Sequence, residues 1–296
     1  GKTPLVRFLA RYFNGSNKKV AILTRGYGRK SGQTLCLDRI NLERTAPVLT
    51  GDEPRILARH LENGVVIVDA NRLRGSKMAM RQLQPDLFIL DDAFQHRQID
   101  RDVNIVTLDA TDLWGRKRLL PAGKLREPLT QLRRADLIWV TRLNQTQRSL
   151  AEIREDVEKK LQQPVIYSNY SPAGIVDANR TKRLPLAALT GKKVIAFAGI
   201  AKPKSFQHTL EMLAANVVFF RSFNDHHFFK RKELEQLLAQ KERYQADWLI
   251  TTEKDAERID PVIRAQLRNL HILEIEIKIV TGEKNLKKIF DSKGLI

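Results

Sequence analysis

Leu87-Phe88-Ile89-Leu90-Asp91-Asp92 is a run of four apolar residues that ends on two carboxylates. A run this short, with no polar residue at alternate positions, reads as a strand buried on both faces. Val20 to Thr24, Val65 to Val68, Val103 to Leu108 and Leu137 to Thr141 have the same character. Several of these runs end in Arg, Asp or Thr followed by Gly or polar residues, as strand ends facing a ligand crevice do. Ahead of them, Leu5, Val6, Leu9, Tyr12 and Phe13 fall on one face of an amphipathic helix. Repeated β-then-α units predict an α/β fold with a mostly parallel sheet covered on both sides.

The texture changes over residues 164 to 192, where Pro164, Pro172, Gly174, Pro185 and Gly191 punctuate the chain. Asn179-Arg180-Thr181-Lys182 reads as a turn between two short strands, so residues 169–192 are expected to form a connector, a β-ribbon. The β/α pattern then restarts. Apolar runs at Val194 to Ala198, Val217 to Phe220, Trp248 to Thr251 and Ile272 to Ile279 alternate with helical stretches near 204–215, 231–244 and 257–268. The expected organisation is a larger domain over residues 1–168 and a smaller α/β domain over residues 193–296.

The 296 residues carry 52 Lys and Arg against 34 Asp and Glu, a formal net charge of +18. Such a balance attracts anions: nucleic acid, anionic lipid or phosphorylated substrates. Cys36 is the only cysteine, so no intrachain disulfide can form. No run reaches the ~18 apolar residues that a membrane-spanning helix needs.

Gly1-Lys2-Thr3 opens the first helix, with Pro4 in its first turn. In a phosphate loop, glycine lets backbone approach phosphate, lysine reaches the β- and γ-phosphates, and threonine holds Mg²⁺. A tripeptide alone is a poor match. The strand ending at Asp91 strengthens it, because P-loop enzymes place a strand-end carboxylate beside the Mg²⁺; the same acid also suits a simple turn cap. Thr50-Gly51-Asp52-Glu53-Pro54 sets two acids at a helix start, suiting either a general base or the helix dipole. Asn224-Asp225-His226-His227 carries two histidines that point to different sides of the chain and so are not expected to share a metal. Leu120 to Pro128 holds Arg126, suited to phosphate, and Glu127, suited to a metal, or an exposed ion pair. Arg25-Gly26-Tyr27-Gly28-Arg29-Lys30 reads as an anion site or as a basic turn.

Taken in order, Arg25-Gly26-Tyr27, Gly51-Asp52-Glu53, Leu90-Asp91-Asp92-Ala93-Phe94-Gln95-His96, Leu120 to Pro128, Phe197 to Ala201 with Pro203, Asp225-His226-His227 and Thr251-Thr252-Glu253-Lys254-Asp255 resemble the tetraacyldisaccharide 4′-kinases. The resemblance spans nearly the whole chain. It implies a P-loop NTPase-type α/β fold with a second, smaller α/β domain. It also implies ATP- and Mg²⁺-dependent transfer of the γ-phosphoryl to the 4′-hydroxyl of a tetraacylated disaccharide 1-phosphate, giving lipid IVA. By the same resemblance, Gly1, Lys2 and Thr3 bind nucleotide, and Thr3, Asp91 and Glu127 hold Mg²⁺. Asp52 acts as base with His226 as its partner, and Arg25, Tyr27, Gln95, His96 and Arg126 line the substrate pocket. The expected location is the cytoplasmic side of the bacterial inner membrane, with no nucleic acid and no obligate protein partner. The family's N-terminal helical segment and the first glycines of its phosphate loop are expected upstream of Gly1. The rival readings are a P-loop GTPase or nucleic-acid-stimulated ATPase, for which Glu253-Lys254-Asp255 is a poor guanine-binding string, and a non-catalytic basic module on anionic membranes.

Overall fold

The computed structural model describes residues 2–267 and 269–296. The chain opens with α1 (Lys2–Gly15), β1 (Val20–Thr24), β2 (Leu35–Leu37), α2 (Pro47–Thr50), α3 (Asp52–His60), β3 (Gly64–Val68), α4 (Arg72–Gln82) and β4 (Leu87–Leu90). It continues with β5 (Ile105–Asp109), β6 (Leu137–Thr141), α5 (Leu150–Glu158), β7 (Val165–Asp177), β8 (Arg183–Leu184), β9 (Lys193–Ala198), α6 (Pro203–Met212) and β10 (Asn216–Ser222). The last elements are α7 (Arg231–Arg243), β11 (Trp248–Thr252), α8 (Glu253–Ala256), α9 (Pro261–Gln266), β12 (Leu270–Thr281) and α10 (Glu283–Ser292).

Two compact units result, and neither is continuous in sequence. One takes in residues 2–8, 92–171 and 277–296; the other takes in residues 9–91 and 172–276. In the first unit β5, β6 and the start of β7 pair in parallel, with Ile138 opposite Val165. β6 is buried along its whole length, which explains why Leu137 to Thr141 carries no alternating polar face. Its Trp139 is fully buried, meets the Phe8 ring edge-on at 5.4 Å, and donates its indole N–H to Ser168 Oγ at 2.9 Å. α5 begins with a reciprocal capping box between Ser149 and Glu152 and packs Ile153 and Val157 into this core.

The second unit holds a four-stranded sheet in the order β2-β3-β1-β4. β1 pairs in parallel with both β3 and β4, and β2 closes one edge antiparallel to β3. The same unit contains the parallel run β10-β9-β11-β12. β8 pairs antiparallel with the end of β7, Ile175 opposite Leu184.

The structure differs from the sequence reading in several elements. β4, read as buried on both faces, is half-buried along its whole length because it forms an edge of its four-stranded sheet. The stretch read as a Pro- and Gly-punctuated connector contains the thirteen-residue β7. Pro172 and Gly174 lie within β7, just before the short antiparallel pairing with β8. The helical stretch near 257–268 holds only the short α9, which Asp260 caps with Pro261 at its first position, while the one-turn α8 lies just ahead of it. β12 runs well beyond the eight residues expected, to twelve.

An ion network built from both sequence segments of the second unit packs α3 against residues 253–264. Glu257 is fully buried and accepts from Arg55 Nε at 3.0 Å, Arg59 Nε at 2.6 Å and Arg180 Nη2 at 2.9 Å. Arg55 is also fully buried and donates to the carbonyls of Leu42 and Thr45. Burial disfavours the Glu257 carboxylate, but the surrounding guanidiniums outweigh it and hold its pKa far below the usual range. Removing one partner of such a cluster strands the others in low dielectric. Glu257→Ala is therefore expected to destabilise the fold by about 3–5 kcal/mol. Urea unfolding measures it, and a loss below about 1 kcal/mol would mean that the cations find water or new partners.

Candidate active site

In the first unit, Lys2 lies in the first turn of α1 and Thr3 beside it is buried. Thr3 belongs to the same helix as Leu5, Val6, Leu9 and Phe13, all buried as the spacing predicts. Lys2 Nζ meets Asp92 Oδ1 at 2.6 Å. Arg126 Nη1 reaches both oxygens of the same carboxylate at 2.9 Å. Burial raises the Asp92 pKa, and Lys2 and Arg126 more than reverse this, so the group is held below its ordinary value. Asp92 has a positive φ of 51°, which turns the chain sharply after the strand end.

Two cations converging on one exposed acid form a ready site for a phosphate oxygen, which would compete with Asp92 for them. Of the two strand-end carboxylates, the sequence assigns a role to Asp91 and none to Asp92. Glu127 is bonded to Arg134, whose guanidinium also lies 4.3 Å from the centre of the Phe94 ring. Gln95 is exposed and His96 half-buried, and the His96 amide donates to the Ala93 carbonyl at 2.8 Å.

In the second unit, Asp91 sits buried just past β4, and its Oδ2 accepts from Thr24 Oγ1, at the end of β1, at 3.1 Å. Parallel neighbours β1 and β4 thus deliver a hydroxyl and a carboxylate to the same, carboxyl-terminal end of the sheet. The segment after β1 turns through Gly26, at φ 68°. A Cβ there would come within 2.4 Å of Val68 Cγ1, so only glycine fits. The turn leaves Arg25 and Tyr27 exposed, and the Tyr27 ring lies 5.8 Å from the His226 ring.

Asp52 occupies the first turn of α3 and is buried, while His226 is 41% exposed. The two come together, as expected, but not by a direct hydrogen bond: His226 Nδ1 lies 3.8 Å from Asp52 Oδ1. Asp52 Oδ2 is instead bonded to Arg258 Nη2, and the same nitrogen lies 3.2 Å from His226 Nδ1. Lys254, bonded to Glu53 at 2.7 Å, adds a second cation near Asp52. Burial pushes the Asp52 pKa up, but His226, Arg258 and Lys254 together hold it far below the usual carboxylate range. The nearby Asp52 carboxylate raises the His226 pKa, against burial and Arg258. His227 points elsewhere, with Nε2 2.9 Å from Glu233 Oε2 and its ring stacked on Phe223. The two histidines therefore do not share a site.

Gly1 lies outside the described residues. Arg258 and Lys254 are absent from the sequence-derived site. Their signal was a charge pattern: Asp52, Arg55 and Arg59 on one face of α3 answer Glu257 and Arg258, with Glu53 answering Lys254. Among the described residues, His60, Glu253 and Glu274 have metal-ligand spacing. Arg180 lies 3.5 Å from Glu253 and 3.1 Å from Glu274, supplying the positive charge there. We read that group as an ion network.

Comparison with known proteins places these residues in context. A family model described as LpxK, tetraacyldisaccharide-1-P 4′-kinase, matches residues 1–294. The tetraacyldisaccharide 4′-kinase of Anaeromyxobacter sp. (strain K) is 34% identical over 298 residues, covering 99% of this chain and 78% of the relative. That of Syntrophobacter fumaroxidans is 35% identical over 295 residues, covering 98% and 76%. A crystal structure of "apo" form LpxK from Aquifex aeolicus in complex with ATP is similar with a TM-score of 0.77 at 32% identity, covering 99% of this chain and 84% of that one.

Proposed function

Because the chain belongs to the tetraacyldisaccharide-1-P 4′-kinase family, we propose residue roles for an ATP-dependent transfer onto the 4′-hydroxyl of a tetraacyldisaccharide 1-phosphate. The activity itself follows from the family match over nearly the full chain: a lipid A pathway kinase that uses ATP. The observation supporting the phosphate-binding roles is the convergence of Lys2 and Arg126 on the Asp92 carboxylate.

Phosphoryl transfer asks little covalent chemistry of the protein and much positioning and charge stabilisation. In our reading Lys2 and Arg126 exchange Asp92 for phosphate oxygens and neutralise charge on the transferring group. Asp52 orients the sugar hydroxyl and accepts its proton as the oxygen bonds to the γ-phosphorus and ADP leaves. With so low a pKa, Asp52 is a weak base, so we assign it chiefly to orientation, with proton uptake late in the step. Tyr27, Arg25, Gln95 and His96 are read as acceptor-side contacts, and Gly1 as part of the phosphate loop. We assign the phosphate-loop kinase part to residues 1–168, the ribbon to 169–192, and the smaller α/β part to 193–296.

Mg²⁺ fits the donor chemistry of Thr3, Asp91 and Glu127, a hydroxyl and two carboxylates, since this ion takes hard oxygen ligands. Asp91, buried and already bonded to a threonine hydroxyl, is the best placed of the three. When bound, the ion would neutralise phosphate charge. For location, we propose the cytoplasmic face of the inner membrane. Among the described residues no helix is long and apolar enough to cross a membrane. Support comes from the loop where Leu119 and Leu120, 45% and 61% exposed, adjoin the exposed Arg116, Lys117 and Arg118. An apolar tip among cations suits an anionic lipid surface. Leu119→Ser with Leu120→Ser is expected to reduce flotation with anionic liposomes severalfold; undiminished flotation would remove the loop from docking.

The whole reading is tested by transfer of labelled γ-phosphate from ATP to the lipid acceptor in mixed micelles. Transfer should require ATP, stop with chelator and return with Mg²⁺. Turnover stimulated by RNA, or preferring GTP and ignoring the lipid, would favour the rival ATPase or GTPase instead.

A further inference from the structure

Arg258 is 1% exposed at its side chain, and its guanidinium contacts four groups. Nη1 donates to the Gly199 carbonyl at 2.6 Å and to Asp255 Oδ1 at 3.2 Å. Nη2 faces Asp52 Oδ2 and His226 Nδ1. The rear of this fork is fixed independently. Asp255 is fully buried and accepts the Gly199 amide at 3.0 Å and the Thr252 hydroxyl at 2.6 Å. The His226 amide donates to the same Gly199 carbonyl at 3.2 Å. A loop after β9, the loop after β10, the turn after α8 and the start of α3 thus meet at one side chain.

We propose that Arg258 is a positioning residue of the transfer reaction, and that the Asp52–His226 pair acts through its guanidinium rather than through a direct bond. An arginine nitrogen has only protons to offer, so its contact with His226 is a hydrogen bond only when Nδ1 is bare. Arg258 therefore favours the ring with its proton on Nε2, the nitrogen 3.9 Å from Asp225 Oδ2. It also fixes one oxygen of Asp52 and leaves the other to face the hydroxyl. Lysine cannot do both, because a point charge lacks the planar fork.

The proposal rests on the assignment of Asp52 to the acceptor hydroxyl, and its test separates the two. The groups facing Asp52 are Arg258 and Lys254, His226 and the buried Asp255, and Glu53, next on the same helix, is bonded to Lys254. Removing Arg258 leaves the carboxylate buried with less opposing charge, so its pKa must rise. The measurement is the pH profile of kcat/KM for the lipid acceptor, with melting temperature recorded for each variant. Wild type should show no acid limb from Asp52 in the accessible range. Arg258→Met should lose about 10-fold or more in kcat, keep KM for ATP, and gain an acid limb inside the accessible pH range that wild type lacks.

Arg258→Lys should move the limb back while most of the rate loss stays, since charge returns without the fork. A rate loss in Arg258→Met with no change in the limb would overturn the proposal and leave Arg258 a structural residue. If Arg258→Met does not fold, a cycle between Arg258→Lys and His226→Ala decides. Strongly non-additive losses in kcat support the linkage, and additive losses overturn it. Full activity in Asp52→Asn would instead sink the assignment of Asp52. Loss there with an unmoved limb in Arg258→Met sinks the Arg258 proposal alone.

Discussion

Asp52→Asn is expected to lower kcat by about 10²-fold or more while KM for ATP moves little. The substitution keeps the shape of the side chain and a carbonyl oxygen able to accept from Arg258. It removes the negative charge and adds an amide whose protons face Arg258 or the acceptor hydroxyl, both donors at this position. The loss should therefore fall on the chemical step. Asp52 also lies buried among Arg258, Lys254 and His226. Neutralising it leaves Arg258 and Lys254 close together without their shared acid, so the melting temperature must be followed beside the rate. A kcat within twofold of wild type, with the protein folded, would remove Asp52 from the transfer step.

Lys2→Met should be of comparable size, about 10²–10³ in kcat, with a rise in KM for ATP, because a fixed cation at the transferring phosphoryl stabilises charge that builds in the transition state. Methionine keeps the helical start and the apolar stem. The local geometry adds a sharper expectation. In the wild type Asp92 is shared by Lys2 and Arg126. Without Lys2, Arg126 stays more firmly bound to Asp92 and is less free for phosphate. Adding Asp92→Asn to Lys2→Met should then recover part of the ATP affinity by releasing Arg126. Steady-state kinetics over a range of ATP concentrations reads both effects. An unaltered kcat in Lys2→Met would leave the lysine as a surface ion pair with Asp92.

β1 and β6 were legible because burial on both faces writes itself as unbroken Val, Ile and Leu, and both are buried at every position; β4, with the same apolar run, is an edge strand and only half-buried. The pairing of Asp52 with His226 came from family likeness, and the structure brings the two within 3.8 Å. What escaped notice depended on distant partners. β2 is a three-residue antiparallel edge strand, too short to show a period. β7 continues through Pro172 and Gly174, residues that normally mark a break. Arg258 was one cation among 52 Lys and Arg, and its meaning comes from an acid 206 residues earlier. Asp92 was overshadowed by Asp91. Adjacent residues at a strand end point differently, and only coordinates reveal that one is buried against Thr24 while the other turns to Lys2.

The buried cations of α3 bear on how the polypeptide is made. Arg55 and Arg59 leave the ribosome some 200 residues before Glu257, the acid that neutralises them. Synthesis at about 5–20 residues per second leaves Arg55 and Arg59 with only the half-exposed Glu43 beside them for on the order of ten seconds or more before Glu257 arrives. During that interval the four-stranded sheet can pair from local sequence, but the face of α3 that bears Asp52 cannot bury. The end of α3 that carries Asp52 thus consolidates only once residues 253–264 have been made, and until then its two acids and two arginines keep the helix hydrated.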